Sequence, residues 1–435
     1  MYKYMSYEDL PKLKMPYGQE VFISDSTLRD GFQMPGLMIM SRDKLKIFEY
    51  LHRIGVDKIE LFLYTESDRE VAREMIDCSY EKPEVTGWSR CNPLDIDLIL
   101  SMDDIRETGL LMSISDAHIF TKMGLKDREA AEEKYLGALE YALDHGLRAR
   151  AHLEDITRAD LEGFVYPLVQ KILERDPETI IRLCDTLGFG VPFENVIDPY
   201  SIPCMVRRLR ELGVKNIETH IHDDFGFGTS SSIAAYWYGA NWSNLTFLGI
   251  GERAGNAELE KVLLFLVQRV EGFQKYDLAC LSEFAEYVSE NVGIYIPRNK
   301  AVVGRNIFAH ESGIHTAGVI KSPYIYEPYP PELVGCKRTL MIGPTSGAEV
   351  VRFKIKDVLK RRYKVEIDIE KDDWRIQAIT SEIKDLYMEE KRRSCISDEE
   401  IADYAMKYSF IRPIKDREMN FNQTSEAKEE TPLEI

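Results

Sequence analysis

From residue 20 to about residue 283, a strand-like run followed by a helix-like run recurs about every 30 to 35 residues, and no other feature restricts the fold of this chain so strongly. The strand candidates are Glu20–Ser24, Lys58–Leu63, Glu84–Trp88, Gly109–Ser115, Arg148–Leu153, Thr179–Cys184, Asn216–His220 and Asn244–Gly249, eight in all. Between them, segments such as Asp43–Ile54 and Glu129–His145 carry apolar residues at helical spacing with charges on the opposite face. Eight parallel strands alternating with helices over about 250 residues is the count of a closed (βα)8 barrel of the TIM type. An open doubly wound sheet is the alternative, and the regularity of the eight units favours closure.

The polar residues that look out of place fall where a strand gives way to its loop, the face on which such barrels carry chemistry. After the first strand come Asp25, Arg29, Asp30 and Gln33; after the third, Arg90; after the fourth, Asp116 and His118. Then follow Glu154 and Asp155, Asp185 and Thr186, His220 and His222, and the run from Gly249 to Asn256. Helix capping accounts for Asp43 or Asp127 better than for arginines and histidines. Residues two apart on an extended backbone point the same way, so His220 and His222 could clamp one metal ion; chance is the competing reading of any such pair. Two imidazoles and one carboxylate leave about three positions open on a divalent ion. Asp30 is the choice for the carboxylate, because an Arg-Asp pair just beyond the first strand reaches the same barrel mouth as the seventh. Such a site can bind a 2-oxo acid through its keto and carboxylate oxygens and polarise the carbonyl. Arg29 could stabilise the oxyanion that forms on attack; a structural ion pair with Asp30 is an equal alternative.

Lys plus Arg number 56 and Asp plus Glu 74, a net charge of −18. That balance argues against nucleic acid or an anionic membrane as the main partner, since both need a basic face. An anionic substrate then needs a locally positive pocket made by Arg or a metal. The seven cysteines are odd in number and scattered, without a Cys-X-X-Cys pair, so neither a disulfide framework nor a zinc-thiolate site is expected. They read as reduced thiols of a cytoplasmic protein. The stretch Met1 to Glu20 is charged and tyrosine-rich without an apolar core, so no signal peptide is expected, and no apolar run approaches the roughly 18 to 20 residues that span a bilayer.

Beyond residue 283 the repeat stops. A helical stretch, Leu281–Val292, leads into Phe308–Gly318 and a Tyr/Pro-rich segment from Ser322 to Leu333, a composition that suits a loop-rich lid. Helices alternate with polar turns from Ser346 to about Ile414, and Asp416 to Ile435 is polar and expected to be disordered. The expected division is an N-terminal extension (1–19), the barrel (20–283), a lid and linker (284–345), a helical accessory region (346–415) and a tail (416–435).

The stretch Asp25-Ser26-Thr27-Leu28-Arg29-Asp30-Gly31-Phe32-Gln33, the His220/His222 pair and Gly249–Asn256 resemble, in order and spacing, the signatures of the DRE-TIM metallolyase superfamily. The resemblance runs from about residue 20 to 345. His310–Gly318, followed by Tyr326 and Glu327, is similar to the acyltransferase (condensing) branch, which includes isopropylmalate, citramalate, homocitrate and Re-face citrate synthases; lyases of the superfamily lack that segment. Within the branch, Glu84–Arg90, Ser113–Phe120, His152–Asp160 and Arg182–Pro192 look most like Re-face citrate synthase.

The resemblance implies a Claisen-type condensation of acetyl-CoA with a 2-oxo acid, followed by thioester hydrolysis. Oxaloacetate is the favoured acid, with 2-oxoglutarate and 2-oxoisovalerate as runners-up. Asp30, His220 and His222 would be ligands of a divalent ion (Mn, Mg, Zn or Co), with Asn256 close to it. Arg29 would neutralise enolate or alkoxide charge, and Thr186 would hold the 2-oxo acid carboxylate. Gln33, Arg90 and His118 are further candidates for substrate contacts. Glu154, His315 and Tyr326 would make up the acid/base machinery. Acetyl methyl protons are weakly acidic, so a poised histidine oriented by a carboxylate is a suitable base. A homodimer is implied, with the lid of one subunit over the barrel of its partner. Fewer than 100 residues follow the lid motif and linker, too few for the domain through which leucine inhibits isopropylmalate synthases, so no such regulation is expected.

Two positions depart from the pattern. Asp223 stands where the superfamily usually has Asn and would add negative charge near the metal, and Phe32 stands where the synthases mostly carry Glu or Gln. Gly249-Ile250-Gly251 with Gly255 superficially resembles a dinucleotide fingerprint but lies at the last strand. His52 and His145 read as ordinary helix residues. Lys360–Arg362 and Lys391–Arg393 read as solvated faces, with contact to CoA phosphates as the sharper alternative. Two rivals of other classes are a metal hydrolase of the amidohydrolase kind, whose histidine pair lies on the first strand, and a non-catalytic acyl-CoA or 2-oxo acid sensor.

Overall fold

A computed structural model describes residues 6–370 and 372–411; the tail expected over 416–435 lies outside the described residues. Eight parallel strands close a barrel in chain order: β1 (Phe22–Asp25), β2 (Lys58–Leu61), β3 (Glu84–Arg90), β4 (Glu107–Ser113), β5 (Arg148–Glu154), β6 (Ile180–Asp185), β7 (Ile217–Ile221) and β8 (Trp242–Leu245). β8 returns to β1, with Phe22 opposite Trp242 and Asp25 opposite Leu245, so no sheet edge is left. Each strand leads to a helix: α1 (Ser41–Ile54), α2 (Glu66–Asp77), α3 (Pro93–Leu100), α4 (Arg128–Asp144), α5 (Tyr166–Arg175), α6 (Ile202–Glu211), α7 (Gly228–Trp237) and α8 (Leu259–Arg269).

The helices begin where the chain offers caps. Thr65 and Asp68 form a capping box at α2, and Asn92 and Ser201 cap α3 and α6 ahead of a proline in the first turn. All eight predicted strands overlap the observed ones. The largest difference is at the last, predicted to continue to Gly249 but ending at Leu245, because Leu248 and Gly249 turn left-handed (φ 60° and 68°) and break the extended run.

The aliphatic residues of the strands, such as Ile23, Ile59, Leu110, Ile181 and Ile217, are buried in one cluster with the apolar faces of the helices. What lies inside the barrel is different. Arg182 on β6 reaches Glu60 on β2, Arg150 on β5 reaches Glu218 on β7, and Ser24 on β1 also reaches Glu218. Strands that are not neighbours can make these contacts only across the barrel axis, so the interior is polar and charged.

The chain divides into two compact units, one running to Phe308 with Glu327–Arg338 added, the other made of Ala309–Tyr326 and the chain from Thr339 onward. The stretch expected as one lid and linker (284–345) is therefore shared between them. In the first unit α9 (Leu281–Tyr287) follows the barrel. The second unit contains α10 (Gly313–Lys321), α11 (Ala348–Tyr363), α12 (Trp374–Met388) and α13 (Asp398–Lys407), around an aliphatic core that includes Ile342, Val350, Ile355, Val358, Ile376, Ile379, Ile383 and Ile401. The expected loop-rich lid is corrected in one respect. Residues 313–321 form a helix, because Thr316 and Val319, three apart, bury one face of a segment that its glycines and polar residues made look irregular. Among the described residues no helix is long and apolar enough to cross a membrane. All seven cysteines are free thiols.

Candidate active site

β7 carries His220 and delivers His222 one residue past its end, both buried at the C-terminal mouth of the barrel. After β1 the chain folds back on itself: the amides of Arg29, Asp30 and Gly31 all donate to the carbonyl of Ser26 at 3.0, 2.8 and 3.1 Å. This turn places Asp30 opposite the two histidines. Gly31 is needed there, since a Cβ would lie 2.9 Å from Cγ1 of Ile250. Asp30, His220 and His222 each offer a ligand atom within 4.8 Å of the others, near enough for a small inward movement to bring all three onto one cation.

The Gly249–Asn256 loop closes the other side. Asn256 pairs with the backbone of His222, and its Nδ2 donates to Asp30 Oδ2 at 2.5 Å and to the carbonyl of Ile250 at 3.1 Å. Gly255 adopts φ 82°, and a Cβ there would sit 1.9 Å from the carbonyl oxygen of Gly249, so no other residue fits the loop as folded.

The protonation states suit metal binding. Burial pushes the Asp30 carboxyl up, but the Arg29 guanidinium, both imidazoles and Asn256 outweigh it and leave Asp30 at about 2. Burial holds His220 down at about 3 and lowers His222 as well, against the pull of Asp30. A carboxylate and two neutral imidazoles are the forms that bind a divalent ion. The Nδ1 atoms of both histidines and Oδ1 of Asn256 are buried without a hydrogen-bond partner. Orphans of this kind cost about 1–3 kcal/mol each, and a cation would satisfy them. The residues present therefore fit a divalent ion.

Arg29 is pinned from three sides. Its Nε donates to Glu60 Oε1 and its Nη1 to Asp30 Oδ1, both at 2.9 Å, and its guanidinium lies 6.0 Å from the ring centre of Trp88. Below it runs an ionic stack that sequence reasoning missed: Glu60, His152, Arg182, Glu218, Arg150, Glu107 and Lys58, all buried. The signal was present in the strict alternation of Arg148-Ala149-Arg150-Ala151-His152 on β5. Alternation usually marks a strand with one wet face, but in a closed barrel covered by helices the polar set must point inward.

A second cluster surrounds Glu154, the last residue of β5. It accepts hydrogen bonds from Ser113 and from Lys122 Nζ at 2.7 and 2.8 Å, and its Oε2 lies 3.1 Å from His118 Nδ1. Burial works against the charge, yet these partners hold Glu154 at about 2. The imidazole that Glu154 orients within the barrel unit is thus His118. In the second unit His315 and Tyr326 come together, ring centres 4.4 Å apart, and Gly318 leaves the room, since a Cβ there would lie 2.6 Å from the tyrosine ring.

The remaining candidates are placed as follows. The Thr186 hydroxyl accepts the Asp155 amide at 2.9 Å, and Asp185 is committed to the loop through Thr157 and the amides of Phe189 and Gly190. Gln33 ends a short turn with its side chain exposed. Arg90 is forked onto Asp95 at 2.8 and 2.9 Å, an ion pair that occupies the guanidinium. Asp223, expected to add negative charge near the metal, is engaged by the backbone: its Oδ1 accepts the Gly228 amide at 2.6 Å at the start of α7. Phe32 packs against the core beneath the ammonium of Lys44, 5.1 Å from its ring centre. The basic runs of the second unit are neutralised within it: Arg361 by Asp357 and Asp398, Arg362 by Glu399, Arg392 by Glu400.

Residues 20–288 match the family model described as HMGL-like, and residues 302–391 the one described as homocitrate synthase post-HMGL domain-like. The chain is 36% identical to a citrate (Re)-synthase of Clostridium kluyveri, covering 88% of this chain and 87% of that one. It is 35% identical to a homocitrate synthase of Methanothermobacter thermautotrophicus over 80% and 85% of the two chains. It is also 36% identical to a probable 2-isopropylmalate synthase of Ignicoccus hospitalis over 80% and 84%. Among solved structures, hydroxymethylglutaryl-CoA lyase of Pseudomonas aeruginosa superposes with a TM-score of 0.52 at 19% identity, over 64% of this chain and 94% of that one, a likeness of fold alone.

Proposed function

The chain belongs to the HMGL-like family, and on that premise we propose that it condenses acetyl-CoA with a 2-oxo acid, oxaloacetate by preference, to give citrate and free CoA. It is an acyltransferase of the synthase type, as its relatives are. The observation that carries the reading is the convergence of Asp30, His220 and His222 within 4.8 Å, with the guanidinium of Arg29 fixed beside them. The preference for oxaloacetate rests on the likeness to citrate (Re)-synthase over 88% of the chain.

Asp30, His220 and His222 would hold the divalent ion, with Asn256 setting the orientation of Asp30. When bound, such an ion supplies Lewis acidity to a carbonyl in the site. Arg29 meets the negative charge that develops on the substrate oxygen, acting from a fixed position in a dry site. Thr186 holds the carboxylate of the 2-oxo acid and Gln33 completes its surroundings, while Arg90 stays with Asp95. A base removes a methyl proton from the acetyl group, the resulting carbanion attacks the 2-oxo carbon, and water then cleaves the thioester. His315, Tyr326 and Glu154 share these proton transfers. His118 joins them, because a carboxylate 3.1 Å from its Nδ1 orients the ring as a general base requires. We read the enzyme as a homodimer of the cytoplasm; sedimentation at the mass of one 50.2 kDa chain would contradict the dimer.

A second reading, homocitrate synthesis from 2-oxoglutarate, is favoured by the match of residues 302–391. Mass-spectrometric identification of the product formed from acetyl-CoA with oxaloacetate, 2-oxoglutarate, 2-oxoisovalerate and pyruvate in turn separates the two. Citrate as the fastest product supports the first reading, and a larger rate with any other acid replaces it.

A further inference from the structure

One layer below Arg29 and Asp30, the barrel holds a guanidinium that the proposed reaction does not use. Arg182 on β6 is completely buried. Its Nε donates to Glu218 at 2.7 Å, and its Nη1 lies 3.0 and 2.9 Å from the two oxygens of Glu60. Oε1 of Glu60 also accepts the Nε of Arg29 at 2.9 Å, so one carboxylate oxygen is shared by two guanidinium groups. The other oxygen faces His152 Nε2 at 3.4 Å and Arg150 Nη1 at 3.8 Å. Farther down, Arg150 joins Glu218 at 3.0 Å and Glu107 at 2.8 Å, and Lys58 closes on Glu107. From bottom to top the stack pairs the cations Lys58, Arg150, Arg182 and Arg29 with the carboxylates Glu107, Glu218, Glu60 and Asp30, so its formal charge is zero.

We infer that Arg182 is a positioning residue for Arg29, acting through Glu60. The inference rests on the proposed function only in the role given to Arg29. A carboxylate with one cationic partner follows that partner, whereas one gripped from opposite sides stays put. Glu60 is gripped by Arg182 from below and therefore offers Arg29 a fixed acceptor. Arg29 is then held at Nε and Nη1, and its Nη2, which bonds to none of the described residues, is left to meet the substrate. Remove Arg182 and Glu60 loses the cation that lies against both of its oxygens, the stack gains one negative charge below Arg29, and Arg29 is drawn down towards it. Stability alone is a poor reason for such a stack, because buried ion pairs are often no better than well-packed apolar residues of the same volume. Barrels of this kind usually fill their interior with Val, Ile and Leu.

The test compares Arg182→Met, Arg182→Lys and Glu218→Gln with the full-length wild type, because Lys keeps the charge but cannot bridge Glu60 and Glu218 as a guanidinium does. The expected result is a fall in kcat of about 10²-fold for Met and about 10-fold for Lys, the size of effect that a displacement of about 1 Å at a reacting centre produces. KM for both substrates should stay within about threefold, since the binding groups are untouched. Crystal structures of the variants should show Arg29 withdrawn from Asp30. An unchanged kcat per folded molecule, a rise in KM alone, or a fall in kcat with Arg29 still in place overturns the inference. Should Arg182→Met fail to fold, the Lys and Gln variants carry the same comparison. If the wild type releases no CoA with any 2-oxo acid, the functional reading falls, and the position of Arg29 in the crystal structures still decides this inference.

Discussion

Inside the eight strands Lys58, Glu60, Glu107, Arg150, Arg182 and Glu218 are buried against one another, whereas the second unit buries Ile342, Val350, Ile355, Ile376, Ile379 and Ile401. The second interior is held by a force without direction, roughly proportional to the apolar area removed from water. It specifies that helices pack and tolerates exchange among residues of similar volume. The barrel axis is the reverse. Each of its charges carries a desolvation penalty that only well-placed partners offset, so its residues have fixed places and few acceptable substitutes. The difference teaches where chemistry can be mounted: a guanidinium that must meet developing charge without reorganising belongs on the directional interior.

The comparison is broken most severely at the top of the barrel axis. Asp30→Asn removes the carboxylate from the proposed metal site and from Arg29, and CoA release should fall by at least about 10³-fold with the circular dichroism spectrum unchanged. A next, smaller effect sets the two interiors against each other directly. Glu60→Gln is nearly isosteric yet leaves Arg29 and Arg182 without their shared counter-charge, so urea denaturation should show a loss of about 3–5 kcal/mol. Ile379→Val in the second unit removes one buried methylene and should lose only about 0.5–1.5 kcal/mol. Equal losses would mean that the two interiors do not differ in kind.

A pH comparison sharpens the same point. Burial, with Glu258 beside it, raises Glu260 at the start of α8 to about 8, while its Oε2 accepts the Leu248 amide at 2.9 Å. A folded pKa above the unfolded value of about 4.3 means that the carboxyl group stabilises the fold below that value and that this contribution is lost as pH rises through about 8. Thermal denaturation at about pH 5, 7 and 9 should therefore show Glu260→Gln gaining steadily on the wild type as pH rises, because its neutral amide keeps the same bond at every pH. A gap that is constant with pH would sink the prediction. The smallest effect is expected at a partly exposed ion pair of the second unit, Lys354 Nζ to Asp398 Oδ1 at 2.6 Å. Asp398 is also held by Arg361 at 2.6 Å, so Lys354→Met should change stability by less than about 1 kcal/mol.

Much of this was legible in the sequence, for physical reasons that also mark where legibility stops. The strand and helix rhythm survives in any βα repeat, and the residues at the strand ends, from Arg29 and Asp30 to His220 and His222, stand out because polar groups there have no capping role. Partners were harder to read. Glu60, Arg182 and Glu218 sit in strands whose alternation looks like a wet face, and nothing in one dimension says that the sheet closes. Asp223 was expected to add negative charge near the metal, and nothing in the sequence signals that its carboxylate is engaged by the amide of Gly228. Arg90 was a candidate by its place after β3, and the structure commits it to Asp95 five residues on. The helix over Gly313–Lys321 was hidden by a composition that suits loops, and its buried face of Thr316 and Val319 is too short to show a period.

Everything proposed for the reaction depends on a divalent ion held by Asp30, His220 and His222. This dependence is tested most directly by following thiol release from acetyl-CoA with oxaloacetate, using protein stripped of metal by a chelator and then titrated with Mn, Mg, Zn or Co. The expected result is no release from the stripped protein and recovery that saturates at one ion per chain, with no recovery in Asp30→Asn. Full release from protein shown to be free of metal, or recovery in Asp30→Asn equal to the wild type, would contradict it.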